Sequence, residues 1–320
     1  MPIPAAPPPL SAPRWARAFA PGSIGNVGPG LDVLGLAVAG AGDTVTAEAT
    51  GGADLVVVEA GHPSLSCDPA RHASALAADA VRRLTGRADF GATLRVIKGL
   101  PLSGGQGGSA ASAAAGAGAM NALLGSPLDA SGVIAAALEA ESRVAGRHAD
   151  NIAPSVLGGL VLVRSLDPLD CVRLPPPEGL FVVLAHPQME LPTAEGRAAL
   201  PSQVPRAVAI HQMAQTAAIV AACCLGDLAL LGRAIDDRLA EPARAPLLPG
   251  FAEARQAAVE AGALGCSISG SGPTAFAFAP DRLTAERIAA AMRAAYRAAG
   301  LECDTRVTTP DLPGLRVETA

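Results

Sequence analysis

Residues Leu102–Leu124 read LSGGQGGSAASAAAGAGAMNALL, a glycine-rich turn followed by a helix built almost wholly from small residues. Gly104, Gly105, Gly107 and Gly108 open backbone conformations closed to other residues and leave no side chains over the concavity they form. Ser109 then starts a helix whose unpaired amides and dipole favour an anion, so the stretch can hold a phosphate. It is not the GxxxxGK[ST] loop, because no lysine stands where that motif needs one. Nor does an acidic residue follow about 20 positions later on a second strand, as a dinucleotide site requires. The residues alone leave two readings open: an anion cradle, or a flexible turn leading into a tightly packed helix.

At 320 residues the chain exceeds one typical core, and two domains are expected. Half the residues are apolar and 17% are charged, which excludes a disordered chain. Aromatics make up only 2%, so alanine does most of the filling and base stacking on an aromatic platform is not expected. The net charge of −5, without a Lys/Arg cluster, argues against a nucleic-acid or anionic-membrane partner. The cysteines at 67, 171, 223, 224, 266 and 303 form no CxxC and lack a histidine at metal spacing, so reduced, mostly buried thiols are expected. The proline-rich residues 1–14 read as a disordered lead, lacking the basic and apolar regions of a signal peptide. Met213–Leu231, the most apolar helical stretch, is interrupted by Gln215, Thr216 and Asp227, which argues against a membrane span and for a cytoplasmic protein.

Outward from the glycine turn, Trp15–Ala20 reads as a strand running into a loop, Pro21–Asp32, dense in glycine and proline. Asn26 and Asp32 are its main polar groups, fit either for turn chemistry or for a ligand. Thr44–Ala49 and Leu55–Glu59 alternate as paired strands would. A helix is expected over 70–84, a strand over 92–97 and a second helix over 131–144. The last of these places Glu139 and Glu141 near a helix C-terminus, where the dipole disfavours anions. The polar run through His148, Asp150 and Asn151 resembles a site rim. Asp167, Pro168 and Pro175–Pro177 mark a boundary between domains at 15–170 and 171–320. Beyond it come a strand over 180–185, Thr193 as the cap of a short helix carrying Arg197, and a long helix over 206–225. An irregular segment then holds Arg244, and a glycine turn spans Ser269–Pro273. The alternation of strand and helix in this half suggests a split βαβ layer.

Three glycine-rich segments in this order, at about 20–32, 99–112 and 265–276, resemble the three motifs of the GHMP small-molecule kinases. PGSIGNVGPGLDVLGLAV, KGLPLSGGQGGSAASAAAGAGAMNALLG, HADNIAPSVLGGLVL, TAEGRAALP, EPARAPLLPG and GCSISGSGPTAFAF are, within that superfamily, similar to the homoserine kinase family. The resemblance implies an α+β fold of two domains. The first would be an N-terminal α/β domain like the second domain of ribosomal protein S5, the second a C-terminal ferredoxin-like domain, with ATP and substrate between them. It implies ATP-dependent phosphorylation of the side-chain hydroxyl of L-homoserine to O-phospho-L-homoserine, a step of threonine biosynthesis. Alternatives are another GHMP kinase, acting on mevalonate, a sugar or a related alcohol, or a non-catalytic ATP-binding relative. A homodimer is among the assemblies such a chain can form.

By position, Pro101, Ser103, Gly104, Gly105, Gln106, Gly107, Gly108, Ser109 and Ala110 would wrap ATP, and Ser109 and Glu141 would hold Mg²⁺. Asp32, Asp150 and Asn151 would bind the amino and hydroxyl end of homoserine, and Arg197 and Arg244 its carboxylate. Asn26, Asp32 and Thr193 would stand at the reacting groups, with Gly270–Gly272 beneath. Two departures stand out. The loop usually reads G-L-G-S-S-A, where this chain has Gln106 for the apolar residue and Gly108 for the first serine, and His72 replaces an asparagine usual near the nucleotide.

Overall fold

The computed structural model describes residues 13–144 and 146–320. Residues 1–12 of the expected disordered lead lie outside the described residues, and Arg14 donates its backbone N–H to the carbonyl of Ala320 at 3.0 Å.

The first sheet is built from β1 (Trp15–Gly25), β2 (Leu34–Ala49), β3 (Leu55–Glu59), β4 (Ala92–Ile97), β5 (Leu160–Leu166) and β6 (Leu169–Leu174). Four helices pack with it: α1 (Ala73–Leu84), α2 (Gly108–Leu123), α3 (Ala130–Val144) and α4 (Ile152–Leu157). α2 is the small-residue helix of the sequence, and every residue from Ala110 to Leu123 is buried. Its lack of a polar face is explained by neighbours on all sides. A side chain at Gly116 would overlap the backbone of Ser74 in α1, so the small residues set how closely the helices approach.

The second sheet holds β7 (Phe181–Pro187), β8 (Gly265–Ile268), β9 (Ala275–Ala279) and β10 (Cys303–Thr308), in the antiparallel order β10-β7-β9-β8. Between and after these strands run α5 (Thr193–Ala198), α6 (Arg206–Leu225), α7 (Leu228–Arg233), α8 (Ala240–Arg244), α9 (Phe251–Glu260) and α10 (Arg282–Ala298). This is the ferredoxin-like split βαβ arrangement. β9, AFAFA, shows why the halves hold together. Phe276 and Phe278 point into a core shared with Ile24, Leu34 and Leu36 of the first sheet, while Ala275, Ala277 and Ala279 face α9 and α10. By length and composition α6 could cross a membrane, the only such helix among the described residues. It packs inward through Gln212, Ile219, Ala222 and Cys223.

Several expectations are corrected. Thr44–Ala49 and Leu55–Glu59 do not pair with each other: β4 lies between them, antiparallel to β2 and parallel to the edge strand β3. Pro192, not Thr193, occupies the N-cap of α5, without a side-chain capping bond. Arg244 ends a short helix, α8, where an irregular segment was expected. The division expected at 170/171 falls inside β6, which pairs with β5 in the first sheet. The chain also returns to that sheet at its end, where β11 (Arg316–Thr319) pairs with β1.

Candidate active site

Between the two sheets lies a cleft of about 630 Å³. Its walls include Pro101, Ser103, Gly104, Gly105 and Gly107–Ser109 from the turn before α2. Glu141, Asp150, Asn151 and Asn26 come from the rest of the first half, and Thr193, Arg197, Arg244 and Gly270–Gly272 from the second. Gln106 and Ala110 do not line it, and Asp32 stands beside it through its pairing with Arg197.

The turn is held in shape from across the cleft. Gly105 adopts φ 71°, and a Cβ there would meet the carbonyl oxygens of Gly272 and Ser269 at 2.6 and 2.7 Å, so glycine is required twice over. Ser269 Oγ donates to the Gly105 carbonyl at 2.6 Å and Thr274 Oγ1 to that of Gly104 at 2.5 Å. The Gln106 side chain is buried, donating to Thr274 at 3.3 Å and accepting from Arg306 at 3.3 Å. It therefore braces the loop from behind. The N-cap of α2, Gly107, is left-handed and supplies no side chain, so the first-turn amides of the helix keep no intrahelical acceptor. An anion there gains from both the amides and the dipole.

One turn into the cleft, Ser109 Oγ donates to Glu141 Oε1 at 2.8 Å. Glu141 Oε2 is buried and has no partner among the described residues, and burial, aided by the charge of Asp150, pushes the carboxyl up to about 7. Sequence reasoning missed the group behind the turn. The Lys98 ammonium pairs with buried Asp43 and reaches the Gly108 carbonyl and Ser112 Oγ, both at 3.0 Å. Ser112 in turn donates to Asp43 at 2.6 Å. The lysine precedes the glycine loop closely in sequence, but its aspartate lies on a different strand, so no local spacing reveals the pair. His72, also buried, sits between Ala60 O at 3.2 Å and Ser74 Oγ at 2.8 Å, with its side facing the cleft wall.

At the opposite end, Asp150 accepts the backbone N–H of Asn26 at 3.0 Å, and Asn26 donates its amide to the Gly270 carbonyl at 3.0 Å. Asn26 Oδ1 accepts the N–H of Asp32 at 3.1 Å, and Asn151 accepts from Ser23 Oγ at 3.0 Å. Burial, and then the charge of Asp32, pushes the Asp150 carboxyl up to about 6. For Asp32 burial acts upward as well, but the hydrogen bonds and charge of Arg197 outweigh it and hold the carboxyl below its usual value. His148 Nδ1 lies 3.5 Å from Asp32, and burial, reinforced by Arg197 and Arg244, keeps its ring neutral to a lower pH than usual. Arg244, only 2% exposed, donates Nε to the Gly196 carbonyl at 3.0 Å and Nη1 to the Gly270 carbonyl at 2.8 Å. Two guanidinium groups, two carboxylates and two amides thus converge across the cleft from the glycine turn, a polarity suited to a small zwitterion beside a polyphosphate.

Fold and cleft together define a small-molecule phosphotransferase built on two sheets. The sequence profile of the GHMP kinases N terminal domain matches residues 72–159, and that of the GHMP kinases C terminal matches residues 219–298. The chain is 42% identical to homoserine kinase of Chlorobium phaeobacteroides, over 88% of this chain and 92% of that protein. It is 41% identical to homoserine kinase of Chlorobaculum tepidum, over 95% and 98%. The crystal structure of homoserine kinase from Cytophaga hutchinsonii superposes with a TM-score of 0.91 at 36% identity, covering 97% of this chain and 99% of that one. The chain belongs to the homoserine kinase family of the GHMP kinases.

Proposed function

We propose that this chain transfers the γ-phosphoryl group of ATP to the side-chain hydroxyl of L-homoserine, giving O-phospho-L-homoserine. The observation that carries the reading is buried Arg244, which faces the glycine turn across one cleft beside the Arg197–Asp32 pair: its guanidinium is held by two backbone carbonyls, and an alcohol without a carboxylate would bring it no anionic partner.

The ATP phosphates would lie along the backbone of Gly104, Gly105 and Gly107–Ser109, held by amides at the start of α2. The buried Oε2 of Glu141, with no partner among the described residues, beside the Ser109 hydroxyl fits a hard cation, so these two residues would hold Mg²⁺. The chemistry such a site would supply is neutralisation of charge on the phosphate oxygens. The ammonium group of homoserine meets Asp32 and the Asp150–Asn151 pair, and its carboxylate meets Arg197 and Arg244. Asn26, Asp32 and Thr193 then orient the hydroxyl and the transferred group. Phosphoryl transfer rests on alignment and charge stabilisation, so no strong base is needed. Asp32, ion-paired to Arg197 and acidified by it, is suited to binding a cation more than to removing a proton. All six cysteines are free, which fits a reducing cytoplasm.

The test is ADP release by purified protein with Mg²⁺ and a panel of L-homoserine, mevalonate and galactose. Release dependent on homoserine supports the reading. A preference for either other alcohol, or ATP binding without any turnover, overturns it.

A further inference from the structure

We propose that Gln212, on α6, is a positioning residue that ties the loop carrying Asp32 to the helix carrying Arg244, and so sets the spacing between the two ends of the amino-acid site. The proposal rests on the reading of that end of the cleft as the homoserine site. Gln212 lies in none of the glycine segments and is only 8% exposed. Its Nε2 donates to the Pro29 carbonyl at 3.1 Å and to Asp237 Oδ1 at 2.9 Å, and its Oε1 accepts the backbone N–H of Arg238 at 2.9 Å. One amide therefore uses both donors and its acceptor on two separate backbone segments.

The first segment is the loop of residues 26–32. Asn26, Val27 and Asp32 take φ values of 67°, 47° and 62°, a left-handed region that non-glycine residues occupy only when surrounding structure holds them there. Within the loop, Asn26 Oδ1 restrains the Asp32 N–H. From outside, Gln212 and, one turn along α6, Thr216 both donate to the carbonyl of Pro29, the latter at 3.3 Å. The second segment is the entry to α8. Asp237 Oδ1 also accepts from Leu239 N at 2.8 Å and Ala240 N at 3.0 Å, while Oδ2 accepts from Glu241 N at 2.9 Å. Asp237 thereby starts the helix that ends at Arg244. Removing the Gln212 amide leaves Pro29 with the Thr216 hydroxyl as its side-chain donor and leaves Asp237 on α8 alone. Both segments then keep their local structure and lose this link between them, leaving the Gly270 carbonyl, which accepts from both Asn26 and Arg244, as the other tie. The nucleotide turn, held by Ser269, Thr274 and Gln106, shares none of these bonds.

The experiment is steady-state kinetics of Gln212→Ala with each substrate varied in turn, alongside thermal melts. The expected result is a homoserine KM raised roughly tenfold, the effect of one or two ordinary hydrogen bonds, with the ATP KM unchanged. Thr216→Val, which removes one bond from the same Pro29 carbonyl, should shift the homoserine KM in the same direction by less. It decides by the same criterion if Gln212→Ala does not fold. An active wild type whose variants raise both KM values together, or neither, overturns this proposal alone. A wild type inert toward homoserine overturns the reading on which it rests.

Discussion

The guanidinium of Arg197 grips the carboxylate of Asp32 at two points, Nη1 to Oδ2 at 3.1 Å and Nη2 to Oδ1 at 2.7 Å. Both side chains are about one-third exposed, at 34% and 36%, so solvent screens the pair and it adds little to stability. Its value is positional. An amino acid carries the two complementary charges, and its ammonium and carboxylate can divide the pair between them. Arg197→Ala is expected to raise the homoserine KM roughly 10- to 100-fold, in keeping with loss of a charge-assisted contact, and to leave the ATP KM in place. Varying each substrate separately checks this, and an equal rise for ATP would show that Arg197 does not serve the amino acid.

Arg244 is fixed differently, by two carbonyls from two segments, Gly196 and Gly270. A lysine keeps the charge but not the fork that reaches both. Arg244→Lys should therefore lose homoserine binding nearly as fully as Arg244→Ala, with nucleotide binding intact in both. Calorimetry with each ligand alone measures this. Wild-type homoserine affinity in the lysine variant would reduce the role of Arg244 to bare charge.

The departure at Gly108 can be reversed. A Cβ at that position would meet the Pro101 carbonyl at 3.3 Å and Lys98 Nζ at 3.5 Å, so a serine needs only a small shift of its neighbours. It would restore a hydroxyl at the mouth of α2. Gly108→Ser should lower the ATP KM by roughly 2- to 10-fold, the equivalent of one net hydrogen bond, without altering that for homoserine. An unchanged or higher ATP KM would show that the loop has no place for the hydroxyl.

What the sequence reveals and what it hides follows from the range of the interactions. α2 and α6 are legible because composition or periodicity within each segment defines them, and Arg206–Leu225 matches its expected bounds. The three glycine segments announce themselves by density, and the cleft brings all of them together. β3 is misplaced beside β2 because alternation says nothing of the partner, and β4 from beyond α1 takes that position. β11 is exposed along its whole length and pairs with the start of the chain, so it lacks the apolar pattern that marks a strand. Lys98, Asp43 and Gln212 are hidden for a related reason. Each acts through a partner distant in sequence, and an isolated lysine, aspartate or glutamine carries no spacing signal.

The Lys98–Asp43 pair separates support from chemistry. Both side chains are buried, at 6% and 0% exposed, with Ser112, the Gly99 N–H and the Gly108 carbonyl completing their hydrogen bonds. Lys98→Met leaves Asp43 as an uncompensated buried charge and should cost about 3–5 kcal/mol of stability. Lys98→Met combined with Asp43→Asn removes the stranded charge and should recover much of that loss. Denaturant titrations of the two single variants and the double variant measure the coupling. Additive losses would mean that the two groups do not support α2 as a unit.

Asp150 links the site to pH. Its carboxyl titrates near 6 in the folded protein against a usual 3.8, chiefly because burial penalises its charge. As pH falls from about 6 toward 4, the folded state binds a proton that the unfolded chain does not yet hold, so this group favours the native state increasingly over that window. At pH 7 and above it is ionised in both states and its burial costs stability. Asp150→Asn keeps an oxygen to accept the Asn26 N–H while removing the charge. The variant should gain on the order of 1–3 kcal/mol at pH 7–8, seen as a melting temperature raised by several degrees. The gain should shrink to nothing by about pH 4, where the native carboxyl is also neutral. Melting curves from pH 4 to pH 8 decide it. A gap between variant and wild type that stays constant with pH would show that Asp150 is not the source of this dependence.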